Sequence, residues 1–262
     1  MRATTEYLSP SKPRIFAHRG FTTPADGDVL DENTIAAFAA AIVAGATHIE
    51  TDIQVTSDGV AVLFHDDDLS RVTQNPPIHR KISELSFQEV QAVRLTHGGQ
   101  IPALIDALDS LREVRFNLDF KVNEAVKPAS KVINDLNAAE RVLVSAFSER
   151  RRHQVLREIA QPVATSAGSA LVVWSYLVSK IGAGWLLKIL LRNVNALQIP
   201  VSAGPFDFAS PRFISSVQRC GVEVHFWTIN DPSQMKKLIA LGADGIVTDR
   251  TDLAATAFLP LI

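Results

Sequence analysis

The chain has 262 residues, of which 47% are hydrophobic and 21% charged, and its 26 basic and 28 acidic residues give a formal net charge of -2. A chain of this length can fold as two small domains or as one α/β barrel, so length alone does not choose between them. The nearly balanced charge provides no overall field that would steer the chain onto nucleic acid, and we expect no nucleic-acid partner.

The N-terminal segment, residues 1–13, is polar and contains proline. Because it lacks the continuous apolar core of a secretory signal, we expect a cytoplasmic protein. The single cysteine, Cys220, cannot form an internal disulfide, and this agrees with a reducing compartment.

Strand-like and helix-like segments then alternate along the chain. The predicted strands are residues 14–17, 48–53, 114–121, 142–147, 162–165, 196–200, 222–228 and 245–247. The predicted helices are residues 34–44, 124–139, 149–159, 211–219 and 232–240, followed by a last helix. A Ser57-Asp58-Gly59 turn joins the second strand to another extended run that ends at His65, as in a hairpin. About eight β/α units on one chain predict an α/β fold, a (β/α)₈ TIM barrel.

One interval, from about residue 66 to 102, is irregular and contains a short helix-like stretch. An insertion of this length on the catalytic side of a barrel can cap the pocket and select substrates. We expect one barrel domain over residues 1–262 that includes this insertion.

The most hydrophobic region is residues 170–191. Lys180, Gly182 and Gly184 interrupt it, and no uninterrupted run reaches the roughly 20 apolar residues that a membrane span requires. We predict packed or partly exposed barrel helix here and no transmembrane segment. Peripheral contact with a lipid surface remains an open alternative.

Three acidic side chains lie near the ends of predicted strands. Glu50 and Asp52 are two residues apart and project from the same face of their strand, and Asp119 lies near the end of the following one. Active-site residues collect at the carboxyl ends of barrel strands, and carboxylates with water suit Mg²⁺ or Ca²⁺ rather than Zn²⁺. We predict one divalent cation at these residues; the alternative for Glu50 and Asp52 is an ordinary solvated pair.

His18 and His65 each end an extended segment, so both can point into the mouth of the barrel. Phosphodiester cleavage needs a base to activate a nucleophilic oxygen and an acid to protonate the leaving alkoxide, and two histidines can divide these roles near neutral pH. Arg19 can bind a phosphate bidentately, and Lys121 adds a positive charge on the face of Asp119. The residues therefore predict chemistry on a phosphate ester.

A series of short motifs, in order along nearly the whole chain, resembles the glycerophosphodiester phosphodiesterase family. The motifs are Ala17-His18-Arg19-Gly20, Glu32-Asn33-Thr34, Glu50-Thr51-Asp52, Asp58-Gly59, Phe64-His65-Asp66, Leu69-Ser70-Arg71-Val72-Thr73, Ile101-Pro102-Ala103-Leu104, Phe226-Trp227-Thr228-Ile229-Asn230 and Gly242-Ala243-Asp244-Gly245-Ile246-Val247-Thr248-Asp249-Arg250. The resemblance implies a barrel enzyme that uses a divalent cation to hydrolyse glycerophosphodiesters, which are small molecules, to sn-glycerol 3-phosphate and an alcohol.

The resemblance also implies roles for individual residues. The acid–base pair would be His18 and His65, the phosphate ligand Arg19, and two metal ligands Glu50 and Asp52. The resemblance further places Glu32 in or next to the metal coordination, and it implies that Trp227 lines the pocket against the glycerol or the leaving group. The family's third metal ligand is usually Glu, whereas this chain has Asp119, and the shorter carboxylate bears on coordination distance and metal preference.

Three alternatives stay open at this point. The first is a barrel phospholipase or lysophospholipase D-type enzyme acting on lipid substrates, which the apolar 170–191 region suggests. The second is a phosphodiester lyase that stops at a cyclic product. The third is a phosphate-binding barrel without turnover.

Overall fold

In the part of the chain that the structure describes, eight parallel strands and one antiparallel strand form the central sheet. The structure is a computed structural model that describes residues 6–24, 27–74 and 76–258. The strands of these residues are β1 Arg14–His18, β2 His48–Val55, β3 Ala61–Leu63, β4 Phe116–Phe120, β5 Val142–Ser145, β6 Ala164–Thr165, β7 Ala196–Ile199, β8 Ser202–Ala203, β9 Phe206–Asp207, β10 Glu223–Phe226 and β11 Gly245–Thr248. The short pair β8–β9 forms a separate antiparallel hairpin.

The parallel strands follow the order β6-β5-β4-β2-β1-β11-β10-β7, and β3 pairs with β2. A parallel bridge between Ser166 and Ala196 brings the two ends of this order together. The sheet is therefore a nearly closed barrel, and the chain has the (β/α)₈ TIM barrel fold that its alternation predicts.

Helices cover the outside of the barrel. They are α1 Ile35–Val43, α2 Phe87–Ala92, α3 Leu104–Ser110, α4 Val126–Asp135, α5 Glu149–Glu158, α6 Ser169–Lys180, α7 Gly184–Leu190, α8 Pro211–Gln218, α9 Pro232–Ala240 and α10 Thr251–Phe258. Side-chain caps define several of their starts: Ser210 and Asp231 each accept a backbone N–H of the first helical turn, and proline follows both. Within the described residues, no helix is long and apolar enough to cross a membrane.

The structure differs from the sequence-based expectation at a few elements. Helix α3 and the β8–β9 hairpin were not predicted, because α3 has only seven residues and no side-chain cap and the hairpin strands have two residues each. Helix α4 begins at Val126, two residues later than expected. Residues 170–191 form two helices, and Gly182, with φ 72°, lies between them.

Successive side chains of a barrel strand point alternately into the barrel interior and toward the surrounding helices. In β1, Phe16 packs inside with Tyr7, Leu143 and Val247, whereas Ile15 joins the apolar layer beneath the helices. The buried His48 also lies inside, where it stacks on Phe16 and contacts the Tyr7 carbonyl. Burial lowers the pKa of His48 to about 3, so this histidine is a neutral core residue.

An ion pair closes the amino-terminal end of the barrel. The buried Arg14 donates two hydrogen bonds to Glu223, at 2.8 and 2.9 Å, and Glu223 also accepts from His225 at 3.0 Å. Burial acts to raise the pKa of Glu223, but the hydrogen bonds from Arg14 and His225 outweigh it and hold the pKa well below its usual value. The carboxylate is therefore ionised at neutral pH.

We expect Glu223→Gln to lower the free energy of unfolding by about 3 kcal/mol, because Arg14 stays buried while its counter-charge is lost. Urea denaturation at neutral pH measures the change. Asp109→Asn is the matched control, because Asp109 forms an exposed ion pair with Arg112 and its removal should cost at most about 0.5 kcal/mol. Equal stability losses in the two variants would contradict a structural role for the Arg14–Glu223 pair.

Candidate active site

A cavity of about 440 Å³ opens at the carboxyl ends of the barrel strands. It is lined by eight of the residues singled out from the sequence: His18, Arg19, Glu50, Asp52, His65, Asp119, Lys121 and Trp227. The ninth, Glu32, lies beside them and accepts hydrogen bonds from Arg19 and Arg71. The barrel thus brings together residues that are far apart in the sequence.

A sharp turn after β1 places two consecutive side chains in the cavity. Neighbouring residues of a strand project to opposite faces, but Arg19 has φ 57° and leaves the strand conformation directly after His18. Gly20 follows with φ 90°, and a Cβ at this position would lie 2.8 Å from the Ala37 backbone. The close approach of the turn to α1 therefore requires glycine.

Each histidine of the cavity is held by a carboxylate. His18 Nδ1 donates to Asp249 at 2.6 Å, and His65 Nδ1 donates to Asp66 at 2.6 Å. These bonds fix the proton on Nδ1 and leave Nε2 of each ring as the atom that can exchange a proton with a ligand. For His18, Nε2 lies 3.9 Å from Glu50.

The two supporting carboxylates are themselves anchored. Asp249 accepts a second hydrogen bond from Asn230 at 2.7 Å, and Asp66 is paired with Arg71, which also binds Glu32. Burial acts to lower the pKa of His18, but its bond to Asp249 and the charge of Glu50 outweigh it, so the pKa of His18 lies above its usual value. The pKa of Asp249 lies below its usual value because its hydrogen bonds outweigh burial.

Three carboxylates and one ammonium form the floor of the cavity. Asp52 and Asp119 are direct neighbours across β2 and β4, and Lys121 Nζ lies 2.8 Å from an oxygen of each. Burial and the nearby charge of Asp52 raise the pKa of Glu50 to about 8, and burial raises the pKa of Asp119. The single ammonium of the floor does not balance its three carboxyl groups.

Two oxygens of this floor are buried without a hydrogen bond from any described residue, Oε2 of Glu50 and Oδ2 of Asp52. Oδ2 of Asp52 lies 3.3 Å from Arg19 Nε, and Oε2 of Glu50 lies 3.9 Å from His18 Nε2. Both oxygens therefore face a basic group without accepting a hydrogen bond from it, and a cation is a further partner that they can take. Among the described residues no three His, Cys, Asp or Glu side chains already form a metal-binding group, and Lys121 lies within 2.8 Å of both Asp52 and Asp119.

One wall of the cavity is apolar. Phe147 and Trp227 meet edge to face with ring centroids 6.2 Å apart, and Val172, Val173 and Phe208 continue the wall. Phe147 is exposed at its outer side, and Lys121 Nζ lies 5.8 Å from the centre of its ring. This wall suits the apolar part of a ligand whose charged part lies at the floor.

The sequence analysis missed several residues of the site. Asn117, Phe147 and Gln198 were not singled out, and Asp66, Arg71, Asn230 and Asp249 were named within the motifs of the resemblance without a role. Most of them follow the rule that found the others, since they lie at or just after the carboxyl ends of barrel strands. Arg71 belongs instead to the insertion, where no periodic signal places it.

A model of the family "Glycerophosphoryl diester phosphodiesterase family" matches residues 18–253. The "Probable glycerophosphodiester phosphodiesterase 2" of Mycobacterium tuberculosis is 36% identical over 95% of this chain and 92% of its own length. A glycerophosphodiester phosphodiesterase of Caldanaerobacter subterraneus is 28% identical over 91% of this chain and 94% of its own.

Solved structures share the fold. A glycerophosphodiester phosphodiesterase from Agrobacterium tumefaciens superposes with a TM-score of 0.72 at 21% identity, covering 93% of this chain and 98% of that chain. An Oleispira antarctica phosphodiesterase, solved in complex with the product sn-glycerol-3-phosphate, has a TM-score of 0.72 at 22% identity, covering 94% of this chain and 96% of its own.

Proposed function

Because this chain belongs to the glycerophosphoryl diester phosphodiesterase family, and is thereby a phosphoric diester hydrolase, we propose that His18 and His65 divide the proton transfers of glycerophosphodiester hydrolysis beside one bound divalent cation. The products are sn-glycerol 3-phosphate and an alcohol, in line with the product bound to the Oleispira enzyme. The observation that carries the proposal is the pair of histidines, each fixed at Nδ1 by a carboxylate, on one cavity with the acidic floor.

The two histidines act on the two oxygens that exchange protons. One Nε2 removes the proton of the nucleophilic hydroxyl, and the other donates a proton to the alkoxide that leaves when its P–O bond breaks. Asp249 and Asp66 stabilise the imidazolium that forms on the base and keep both rings oriented. The nucleophile is water or, first, the glycerol 2-hydroxyl, and phosphorus NMR distinguishes them because the second route passes through a cyclic phosphate.

Arg19 and Lys121 supply the positive charge for the phosphate. The guanidinium of Arg19 is held by Glu32 at 3.1 Å and lies 3.3 Å from Asp52, so it is oriented before a ligand enters. Lys121 stands at the junction of the floor and the apolar wall. The glycerol or leaving group then lies against Trp227 and Phe147.

We infer that Glu50, Asp52 and Asp119 hold the cation, Mg²⁺ or Ca²⁺, with Glu32 close to the coordination. Support comes from the two buried carboxylate oxygens that accept no hydrogen bond from the described residues and from the all-oxygen donor set. When bound, the cation supplies positive charge that neutralises a phosphate oxygen.

A metal-by-substrate activity matrix tests the proposal. Glycerol 3-phosphate release from glycerophosphocholine, glycerophosphoethanolamine and glycerophosphoglycerol is measured with Mg²⁺, with Ca²⁺ and after treatment with a chelator. We expect turnover with a cation and its loss after chelation. Full activity after chelation would contradict the ligand assignment, and binding of glycerol 3-phosphate without any turnover would indicate a phosphate-binding barrel instead.

A lysophospholipase D-type activity is the second candidate, and the apolar wall that leads to α6 favours it. A human relative named lysophospholipase D GDPD1 is 24% identical over 89% of this chain. Faster turnover of a lysophospholipid than of glycerophosphocholine at equal concentration would establish this alternative.

Asp249→Asn tests the positioning of His18. We expect kcat to fall by about 10²- to 10⁴-fold with little change in KM, because without the orienting carboxylate the His18 ring can adopt the wrong tautomer. Steady-state kinetics with glycerophosphocholine measure both constants. Asp252→Asn is the control, because Asp252 lies in the first turn of α10 and pairs with Arg250. An equal loss of kcat in the Asp252→Asn variant would indicate a general structural effect.

A further inference from the structure

Helices α6 and α7 expose large apolar side chains, although α6 also buries two serines. On α6 the buried side includes Ser175 and Ser179, whose hydroxyls donate to backbone carbonyls of the same helix. The exposed side carries Trp174, Leu177 and, just after the helix, Ile181, which are 61%, 41% and 77% exposed. A helix on a water-soluble surface normally shows the opposite arrangement.

The exposed apolar side continues on α7, which packs against α6. Trp185 and Ile189 are 71% and 51% exposed, one helical turn apart. We call the five residues Trp174, Leu177, Ile181, Trp185 and Ile189 the apolar face. Single exposed hydrophobic residues are ordinary, but five on two adjoining helices mark an interaction surface.

The charged residues near the apolar face indicate what kind of partner it binds. No Asp or Glu occurs from residue 159 to residue 206, although the whole chain has 28. The charged residues of that stretch are Lys180, Lys188 and Arg192, all exposed and within or beside the two helices. Tryptophan with flanking lysine and arginine is the composition of helices that lie at the surface of anionic membranes.

The apolar face adjoins the mouth of the cavity. Val172 and Val173 of α6 line the cavity, and the next residue, Trp174, belongs to the apolar face. Phe147, exposed at the rim, lines the same side. The apolar face therefore begins, at Trp174, in the part of α6 that follows directly on the cavity lining.

We propose that the apolar face docks on an anionic phospholipid bilayer, with Trp174 and Trp185 entering the headgroup region and Lys188 and Arg192 contacting lipid phosphates. A second copy of the chain fits the face less well, because a symmetric contact would bring the same lysines and arginine together without an acidic partner in the segment. The proposal goes beyond hydrolysis, since docking needs no turnover.

Flotation with vesicles tests the docking without reference to activity. The probes are vesicles of phosphatidylglycerol and phosphatidylcholine in equal parts and vesicles of phosphatidylcholine alone. We expect the protein to float with the anionic vesicles, to bind the neutral ones more weakly and to be released in part by high salt.

Two double variants separate the apolar and the charged contributions. Trp174→Gln with Trp185→Gln should weaken binding to anionic vesicles about ten-fold or more. Lys188→Glu with Arg192→Glu should remove the preference for anionic over neutral vesicles. The matched controls are Val43→Gln, at a valine of α1 that is 90% exposed, and Lys236→Glu with Lys237→Glu on α9, which should bind as the parent does.

Specific results would overturn the docking proposal. These are a parent protein that does not float, a Trp174/Trp185 variant that floats equally well, or parent protein that self-associates through the apolar face, as light scattering would reveal. Both tryptophan substitutions should leave hydrolysis of soluble glycerophosphocholine unchanged. A protein that floats but does not hydrolyse would contradict the proposed reaction and leave the docking intact.

Discussion

Replacing His18 or His65 with alanine is expected to lower kcat for glycerophosphodiester hydrolysis by about 10²- to 10⁴-fold in each case. Each substitution removes the group that takes or gives one proton, while Asp249 or Asp66 stays in place without its partner. Release of glycerol 3-phosphate measures the effect. Both rings are partly exposed at the cavity, so the fold should persist, and circular dichroism with urea denaturation checks this.

The control for both histidine variants is His153→Ala, because His153 is exposed on α5, away from the cavity lining. It should retain the activity of the parent. The double variant should be barely slower than the slower single variant, since residues that act together in one step are not additive. Nearly normal turnover of either single variant would remove that histidine from the mechanism.

Replacing Glu50 with glutamine is expected to weaken divalent-cation binding at least about 100-fold and to remove cation-dependent turnover, because an anionic oxygen ligand is lost. The same change should leave the protein as stable as the parent or more stable, since Glu50 is buried beside Asp52 and its pKa is raised to about 8. Titration calorimetry with Mg²⁺ and Ca²⁺ and thermal unfolding measure the two effects.

Glu84→Gln, at an exposed glutamate of the insertion, is the control for Glu50→Gln and should bind the cation normally. Asp119→Glu supplies the longer carboxylate that the family usually has, and it should change the ratio of Mg²⁺ to Ca²⁺ affinity without removing binding. Unchanged calorimetry for Glu50→Gln would place the cation elsewhere.

The sequence was sufficient to predict the barrel and the set of residues at its mouth, because both follow from regular patterns. Polar residues after apolar strands, such as His18 and Asp119, meet wherever parallel strands end on one side. The partners of the histidines could not be ranked in this way. Asp66 and Asp249 fall within the motifs of the resemblance, but their contacts with the histidines depend on side-chain geometry in the assembled barrel.

The insertion and the apolar region show another limit of sequence patterns. Arg71 joins Glu32 and Asp66 across a long stretch of chain, and no local periodicity encodes that contact. Residues 170–191 were expected to form packed or partly exposed helix, and Trp174 and Trp185 are exposed. In α6 the buried side includes serines and the exposed side includes a tryptophan, so the hydrophobicity of the sequence does not reveal which side of this helix is buried.

The turn at Arg19 ties two functional side chains to one backbone conformation. The left-handed conformation costs a residue with a side chain on the order of 1 kcal/mol relative to glycine, and the ion pairs of Arg19 with Glu32 and Asp52 oppose this cost. In return, two adjacent residues reach one cavity, so a single register of β1 places both the proposed proton-transfer group and the proposed phosphate-binding group. A one-residue shift of β1 against its neighbours would therefore displace both groups at once.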